Sequence, residues 1–250
     1  MLVLAVDTAT PAVTAGLVAL EQTAQRSPTS PALEIHTLAS RVTVDARAHN
    51  EVLTPQILEC LDAAGRSRAE LNAVVVGLGP GPFTGLRVGI ATAAAFGDAL
   101  GLPVYGVCSL DAIAAAAWRD VSAADAELLV VTDARRREVY WARYRAVPKA
   151  ALAGSFVAAA PNGQAVARVA GPEVCTPSEL ESGDSTVIAG SASHVDFFDL
   201  PVLPVETPSP AGLVGCAAAE LLARAIPRPL TPLYLRRPDA VERSYQAVRA

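Results

Sequence analysis

Lysine is almost missing from this 250-residue chain: Lys149 is the only one, and arginine supplies the other cations. The formal net charge is −5, so the chain lacks the basic face that a protein gripping RNA by itself carries. The one cationic run, Arg135-Arg136-Arg137, reads most simply as a solvated hairpin tip. Cysteine is sparse, at positions 60, 108, 175 and 216, with no Cys-x-x-Cys pair. That spacing excludes a zinc ribbon and a thioredoxin-type motif and leaves reduced, mostly buried thiols as the expectation. Histidine occurs three times, at His36, His49 and His194, far apart in sequence and without metal-ligand spacing. No basic segment precedes the short apolar run Leu2–Val6, which excludes a secretory leader of the usual pattern. The apolar-rich stretch 88–110 is interrupted by Asp98, Gly101 and Pro103. A membrane helix needs about twenty mostly apolar residues without such breaks. The expectation is a soluble, cytoplasmic protein with no membrane contact.

What is present is ample for a core: 52% of residues are hydrophobic and 18% charged, favouring one large domain or two small lobes. Leu2–Val6 reads as a buried strand, Asp7-Thr8-Ala9-Thr10-Pro11 as a turn, and Val13–Leu20 and Ile35–Val44 as further strands. This opening looks like two hairpins. Leu53, Ile57, Leu58 and Leu61 recur at helical spacing. Two starts fit that helix: Thr54 caps with Pro55 at the first position, or Asn50 caps with Pro55 one turn inside. Ser67 and Glu70 fit a capping box. Ala73–Leu78 is a valine-rich strand, Leu86–Leu100 a helix, Val104–Val107 a strand and Ser109–Trp118 a helix. The order so far is βββαβαβα, with βββαβα as the core of a first lobe.

The second half opens the same way. Glu127–Thr132 is an apolar strand ending in Asp133, followed by a polar tip and a returning strand, Val139–Arg145. Asp7 and Asp133 thus each end a buried strand before a hairpin, which fits either a duplicated actin-like fold or a chance match of two strand–Asp–turn segments. Residues 146–186 are rich in Ala, Pro, Gly and Ser and give no clear period. Val187–Ala189 reads as a short strand. Ser209 with Pro210 starts a last helix whose apolar face holds Leu213, Ala217, Leu221 and Leu222. The tail 232–239 reads as extended.

The most specific stretch is Gly79-Pro80-Gly81-Pro82-Phe83-Thr84-Gly85-Leu86-Arg87-Val88-Gly89, between a strand and a helix. It lacks the Gly-Lys-Ser/Thr of a Walker loop, Thr84 stands where a dinucleotide fingerprint has its third glycine, and Pro80 and Pro82 have no N–H to offer a phosphate. A rigid turn aiming the next helix is the favoured reading. That helix carries no charge between Arg87 and Asp98, and Gly89, Ala93 and Gly97 give it a face almost without side chains. Such a face either packs tightly inside one lobe or meets another subunit; the second reading is preferred.

These segments carry a resemblance. Ala5-Val6-Asp7-Thr8-Ala9-Thr10, His49-Asn50-Glu51 with Leu53 and Pro55, the glycine stretch 79–89, Asp133-Ala134-Arg135 with Val139-Tyr140, and Tyr234-Leu235-Arg236-Arg237-Pro238-Asp239 resemble, in order, the signatures of the TsaB (YeaZ) family. The resemblance implies an α/β, two-lobed, duplicated actin-like and ribonuclease H-like (ASKHA) fold, with lobes at 1–108 and 109–250 and the C-terminal segment packing back on the first. It implies a non-catalytic subunit of the machinery forming N6-threonylcarbamoyladenosine at position 37 of tRNAs. Its partners would be the catalytic subunit TsaD, the ATPase TsaE through the complex, tRNA only within the complex, and a second copy when alone.

The resemblance also implies that first-lobe helices mediate pairing. The expected interface residues are Leu53, Ile57, Leu61, Arg87, Gly89, Ile90, Ala93 and Gly97, next to the loop Gly79, Gly81, Phe83, Thr84 and Gly85. TsaD holds a metal through His-x-x-x-His; Ser109 and Ile113 occupy those positions here, so no metal, cofactor or catalytic residue is expected. Asp7 and Asp133 match the superfamily's phosphate-loop aspartates but, without the rest of that site, are read as vestigial and as turn caps. Gly190-Ser191-Ala192-Ser193 departs from the glycine pair that holds an adenosine. An actin-like ATPase or small-molecule kinase is the alternative, and a metallopeptidase lacks its histidines.

Overall fold

The computed structural model describes residues 1–23, 32–45, 49–121, 126–147, 157–159 and 165–236. Most of the loop expected at 22–31, and the tail beyond Arg236, lie outside them. Two five-stranded sheets organise the chain. The first has the order β3-β2-β1-β4-β5, from β1 (Leu2–Asp7), β2 (Ala12–Thr23), β3 (Ala32–Val44), β4 (Ala73–Gly77) and β5 (Val104–Val107). β1, β2 and β3 are joined antiparallel, with Val3 opposite Val18, while β1, β4 and β5 run parallel. The second has the order β10-β6-β7-β9-β8, from β6 (Glu127–Asp133), β7 (Val139–Val147), β8 (Val157–Ala159), β9 (Ala165–Cys175) and β10 (Val187–Gly190).

The unbroken apolar run of β1 follows from its having both faces covered. Leu4 and Val6 point to one face, where they meet Leu53 and Ile57 of α1 (His49–Ala63) and Ala93 of α2 (Phe83–Leu100). Val3 and Ala5 point to the other face, where α5 (Pro210–Leu222) supplies Leu213, Val214 and Leu221. The last helix of the described chain therefore completes the core of the first sheet. Ser209 starts it, its hydroxyl accepting the Gly212 N–H at 3.0 Å. α3 (Ser109–Ala117) is buried along its whole length. Ala112 packs with α5, while Leu110, Ile113 and Ala117 join Leu128, Val130 and Tyr144 under the second sheet.

The one charge on α3, Asp111, accepts from Tyr144 Oη at 2.8 Å and pairs with Arg168 at 3.1 Å. The opposite face of the second sheet carries Leu129, Val131 and Ile188, closed by Leu180, Phe198 and Val195 of α4 (Ala192–Val195).

Several local expectations meet the structure with adjustments. α1 starts at His49, so neither Thr54 nor Asn50 caps it; both lie inside, and Pro55 sits within the helix as the second reading had it. α2 begins at Phe83, within the glycine stretch, and ends at Gly101, whose φ of +65° terminates the helix in the left-handed region. Glu70 accepts the Ser67 N–H at 2.7 Å, as a capping box requires. The stretch 146–186, without a readable period, contains β8 and β9.

Candidate partner-binding site

The end of β1 and the start of α2 are built around each other. Thr8 donates its hydroxyl to the Gly85 carbonyl at 2.8 Å and accepts the Gly89 N–H at 3.0 Å. Those two groups are an i, i+4 pair of the helix backbone. The Thr8 hydroxyl bonds to both. It can reach the helix backbone because Gly85 and Gly89 have no side chain: a Cβ on Gly89 would overlap Thr8 Oγ1. Gly81 is held against the Ala9 backbone in the same way, where a Cβ would overlap the Ala9 carbonyl. His49, at the start of α1, bonds through Nε2 to the Thr10 carbonyl at 3.1 Å. The glycine stretch is thus a seat for residues 8–10, in keeping with a rigid turn that aims a helix.

The two aspartates do similar local work. Asp7 Oδ1 accepts the Ala9 N–H at 2.9 Å, and Asp133 Oδ1 accepts the Arg135 N–H at 2.6 Å, so each caps the turn two residues on. Asp7 is also closed in. It is 0% exposed, and its Oδ2 accepts the Ser109 hydroxyl at 2.5 Å. Ser109 is tied back to the glycine stretch by the Gly79 N–H at 3.2 Å. Burial pushes the Asp7 carboxyl up to about 6 from 3.8, outweighing the Ser109 and Ala9 hydrogen bonds and the His49 charge. Of the two residues expected at metal-ligand positions, Ser109 bonds Asp7, and Ile113 is fully buried under the second sheet. Among the described residues no three His, Cys, Asp or Glu side chains gather where they could hold a metal.

The small-residue face of α2 points inward, which corrects the expectation that it meets a partner. Gly89 rests on Thr8, Gly97 on Val104, and Ala93, 1% exposed, on the core beneath α1. Leu53, Ile57 and Leu61 are buried in that core as well. Periodicity locates a stripe but does not say which body fills it, and here the chain's own sheet does. Of the residues expected at an interface, only Arg87 and Ile90 reach the surface, Arg87 exposed and Ile90 half-buried. The outward face of α2 is Thr84, Arg87, Ala91, Ala94 and Ala95, all exposed. It is uncharged from Val88 to Gly97. The neighbouring α1 exposes Thr54, Pro55 and Leu58.

The C-terminal motif completes this end of the molecule; sequence reading expected its segment to pack back on the first lobe but named none of the contacts. Phe83 stacks on Tyr234 with ring centroids 4.8 Å apart. The Arg87 guanidinium lies 3.6 Å from the Phe83 centroid, and its Nε donates to Tyr234 Oη at 2.9 Å. Leu233 N–H bonds to the Leu78 carbonyl at 2.8 Å. Arg236 then crosses to the β6–β7 tip, donating to the Ala134 carbonyl at 3.1 Å and pairing with Glu138. Segments far apart in sequence, from Leu78 to Arg236, thereby meet. The only signal for it was the coincidence of an aromatic and an arginine in each of two distant motifs.

Comparison with known proteins agrees with this geometry. The family model described as "TsaD: tRNA N6-adenosine threonylcarbamoyltransferase" matches residues 37–181. An uncharacterized protein of Mycobacterium tuberculosis is 49% identical over 238 residues, covering 95% of this chain and 93% of that protein. One of Mycobacterium leprae is also 49% identical, and there the chain spans 56% of the relative's length. The tRNA threonylcarbamoyladenosine biosynthesis protein TsaB of Escherichia coli is 39% identical over 99 residues, 40% of this chain and 42% of that one. A Pseudomonas aeruginosa protein described as similar to peptidase YEAZ superposes with a TM-score of 0.68 at 25% identity, over 94% of this chain and 99% of that one. YeaZ of the same organism gives 0.67 at 24%. The fold is accordingly α/β with mixed sheets of the actin-like kind. With its signature segments gathered at one end, and its likeness to TsaB sequences over part of the chain and to YeaZ structures over nearly all of it, the chain belongs to the TsaB/YeaZ family.

Proposed function

We propose that this protein is a non-catalytic partner subunit in the formation of N6-threonylcarbamoyladenosine in tRNA, acting in the cytoplasm by binding a TsaD-type catalytic subunit. The observation that carries the reading is the outward face of α2, exposed yet uncharged over three turns, beside the rigid seat formed by residues 8–10 and 79–89. An alanine-rich helix face admits a second helix closely, and its apolar area drives the association. A second copy of the chain would use the same face when no partner is present. The two sheets, each opening with a strand, a capping aspartate and a return strand, are read as copies of one unit.

The kinase or ATPase alternative needs Asp7 to face a magnesium-bound phosphate. Its burial and its bond to Ser109 disfavour that, and calorimetry with ATP and magnesium is expected to show no heat of binding. The test of the main reading is Ala94→Arg. The residue is exposed, so the variant folds as judged by circular dichroism. An unpaired guanidinium trapped at the contact should weaken pairing with TsaD, and self-pairing, by about a hundredfold or more in sedimentation. Unchanged pairing in the folded variant would move the interface elsewhere.

A further inference from the structure

Beside the β6–β7 tip lies an open cavity of about 660 Å3. Arg137, Thr176, Ser178, Ser193, His194 and Phe197 line it. Its chemistry is unlike the rest of the surface. Phe197 is 64% exposed and touches the His194 ring edge-on, with centroids 5.9 Å apart. Among the described residues the other well-exposed aromatics, Phe83 and Tyr234, cover each other. His194 is held in place: its Nδ1 meets Ser193 Oγ at 2.9 Å and its Nε2 lies 3.8 Å from Asp133.

The tip itself is strained. Arg135, Arg136 and Arg137 have φ of +62°, +54° and +66°, three consecutive non-glycine residues in the left-handed region. Such a run persists only where its surroundings hold it. Here the Asp133 cap, the Ala134–Glu138 backbone pair and Arg236 all do. Among the described residues Arg137 makes no ion pair, and its side chain is exposed at the mouth of the cavity.

An exposed ring over a hydroxyl-lined cavity, flanked by the Arg137 guanidinium, matches a nucleotide with its base on the ring and its phosphate on the arginine. Arg135, paired with Asp133 at 3.3 Å, and Arg136 continue the positive side of the tip past Arg137, where a strand's next phosphate would lie. Resting on the tRNA-modification reading above, we infer that this lobe contributes a weak contact to single-stranded RNA, seating one unstacked base on Phe197 and neighbouring phosphates on Arg137 and the tip. The overall charge of −5 keeps this contact from becoming a general polyanion surface.

The test titrates the full chain into a fluorescent seven-nucleotide single-stranded RNA, with a duplex of equal length and AMP as competitors, at two salt concentrations. The single strand is expected to bind more tightly than either competitor. Phe197→Ala and Arg137→Ala should each weaken it about tenfold, and Arg137→Ala should lower the salt slope by about one phosphate. Both residues are exposed, so both variants stay folded by circular dichroism, and both should still pair with TsaD in sedimentation. Loss of pairing would instead count against the surface assigned above. Undetectable binding, duplex binding as tight as the single strand, or variants that bind as well as the parent would overturn the inference. AMP binding as tightly as the RNA would replace it with a free-nucleotide pocket.

Discussion

Thr8 bonds one hydroxyl to both members of an i, i+4 pair of α2. Thr8→Val keeps the shape and removes both of these buried hydrogen bonds. Chemical denaturation should show a loss of about 1–3 kcal/mol with the slope unchanged. Asp7 works in the opposite sense. With its carboxyl raised by burial to about 6 from 3.8, the folded state holds the proton more tightly than the unfolded chain. Its contribution to stability is therefore full below about pH 4 and is lost as pH rises through about 6. Asp7→Asn removes that dependence while keeping an acceptor for the Ala9 N–H. Melting temperatures of the two proteins measured from pH 4 to 7 should diverge in favour of the variant as pH rises. A constant gap would mean that the carboxyl is ordinary.

At the scale of elements, α2 offers a paired comparison. Ala93 is buried on the core and Ala94 exposed. Ala93→Arg would force a charge among Leu53, Ile57 and Val74 and should leave the chain unfolded or aggregated in circular dichroism and sedimentation. Ala94→Arg should leave it folded. If both variants fold equally well, the small-residue face is not internal.

This helix also shows what a sequence can and cannot disclose. The valines of β4, the run in β1, the Ser67–Glu70 box and the Ser209–Pro210 start were legible because each rests on neighbours in sequence. The filling of the Gly89 face was not legible, because Thr8 and Val104 come from other parts of the chain. Nor was β9, whose residues alternate little in burial and whose alanines and glycine give weak contrast. Asp7 and Asp133 were readable as caps, since an Asx turn is complete within three residues. The Ser109 bond to Asp7 was not, since it joins residues 102 apart.

For the whole molecule, the segment 233–236 is a tie between the two sheets' loops. It bonds to Leu78 and Arg87 on one side and to Ala134 and Glu138 on the other. Arg236→Ala removes the second attachment only. Hydrogen exchange at 134–138 should then quicken several-fold while exchange in β1 and β4 stays as it was. Equal protection in both proteins would show that the tip stands without its tie.

The position of α5 has a consequence for how the protein is made. Residues 2–107 leave the ribosome before residues 210–222 and can pair into a complete five-stranded sheet, yet Val3, Ala5, Val18 and Val75 stay bare on one face until residues 210–222 arrive. In that interval the nascent chain presents a sticky surface. A polypeptide cut after residue 108 should precipitate, and adding a peptide that spans 209–223 should bring it back into solution.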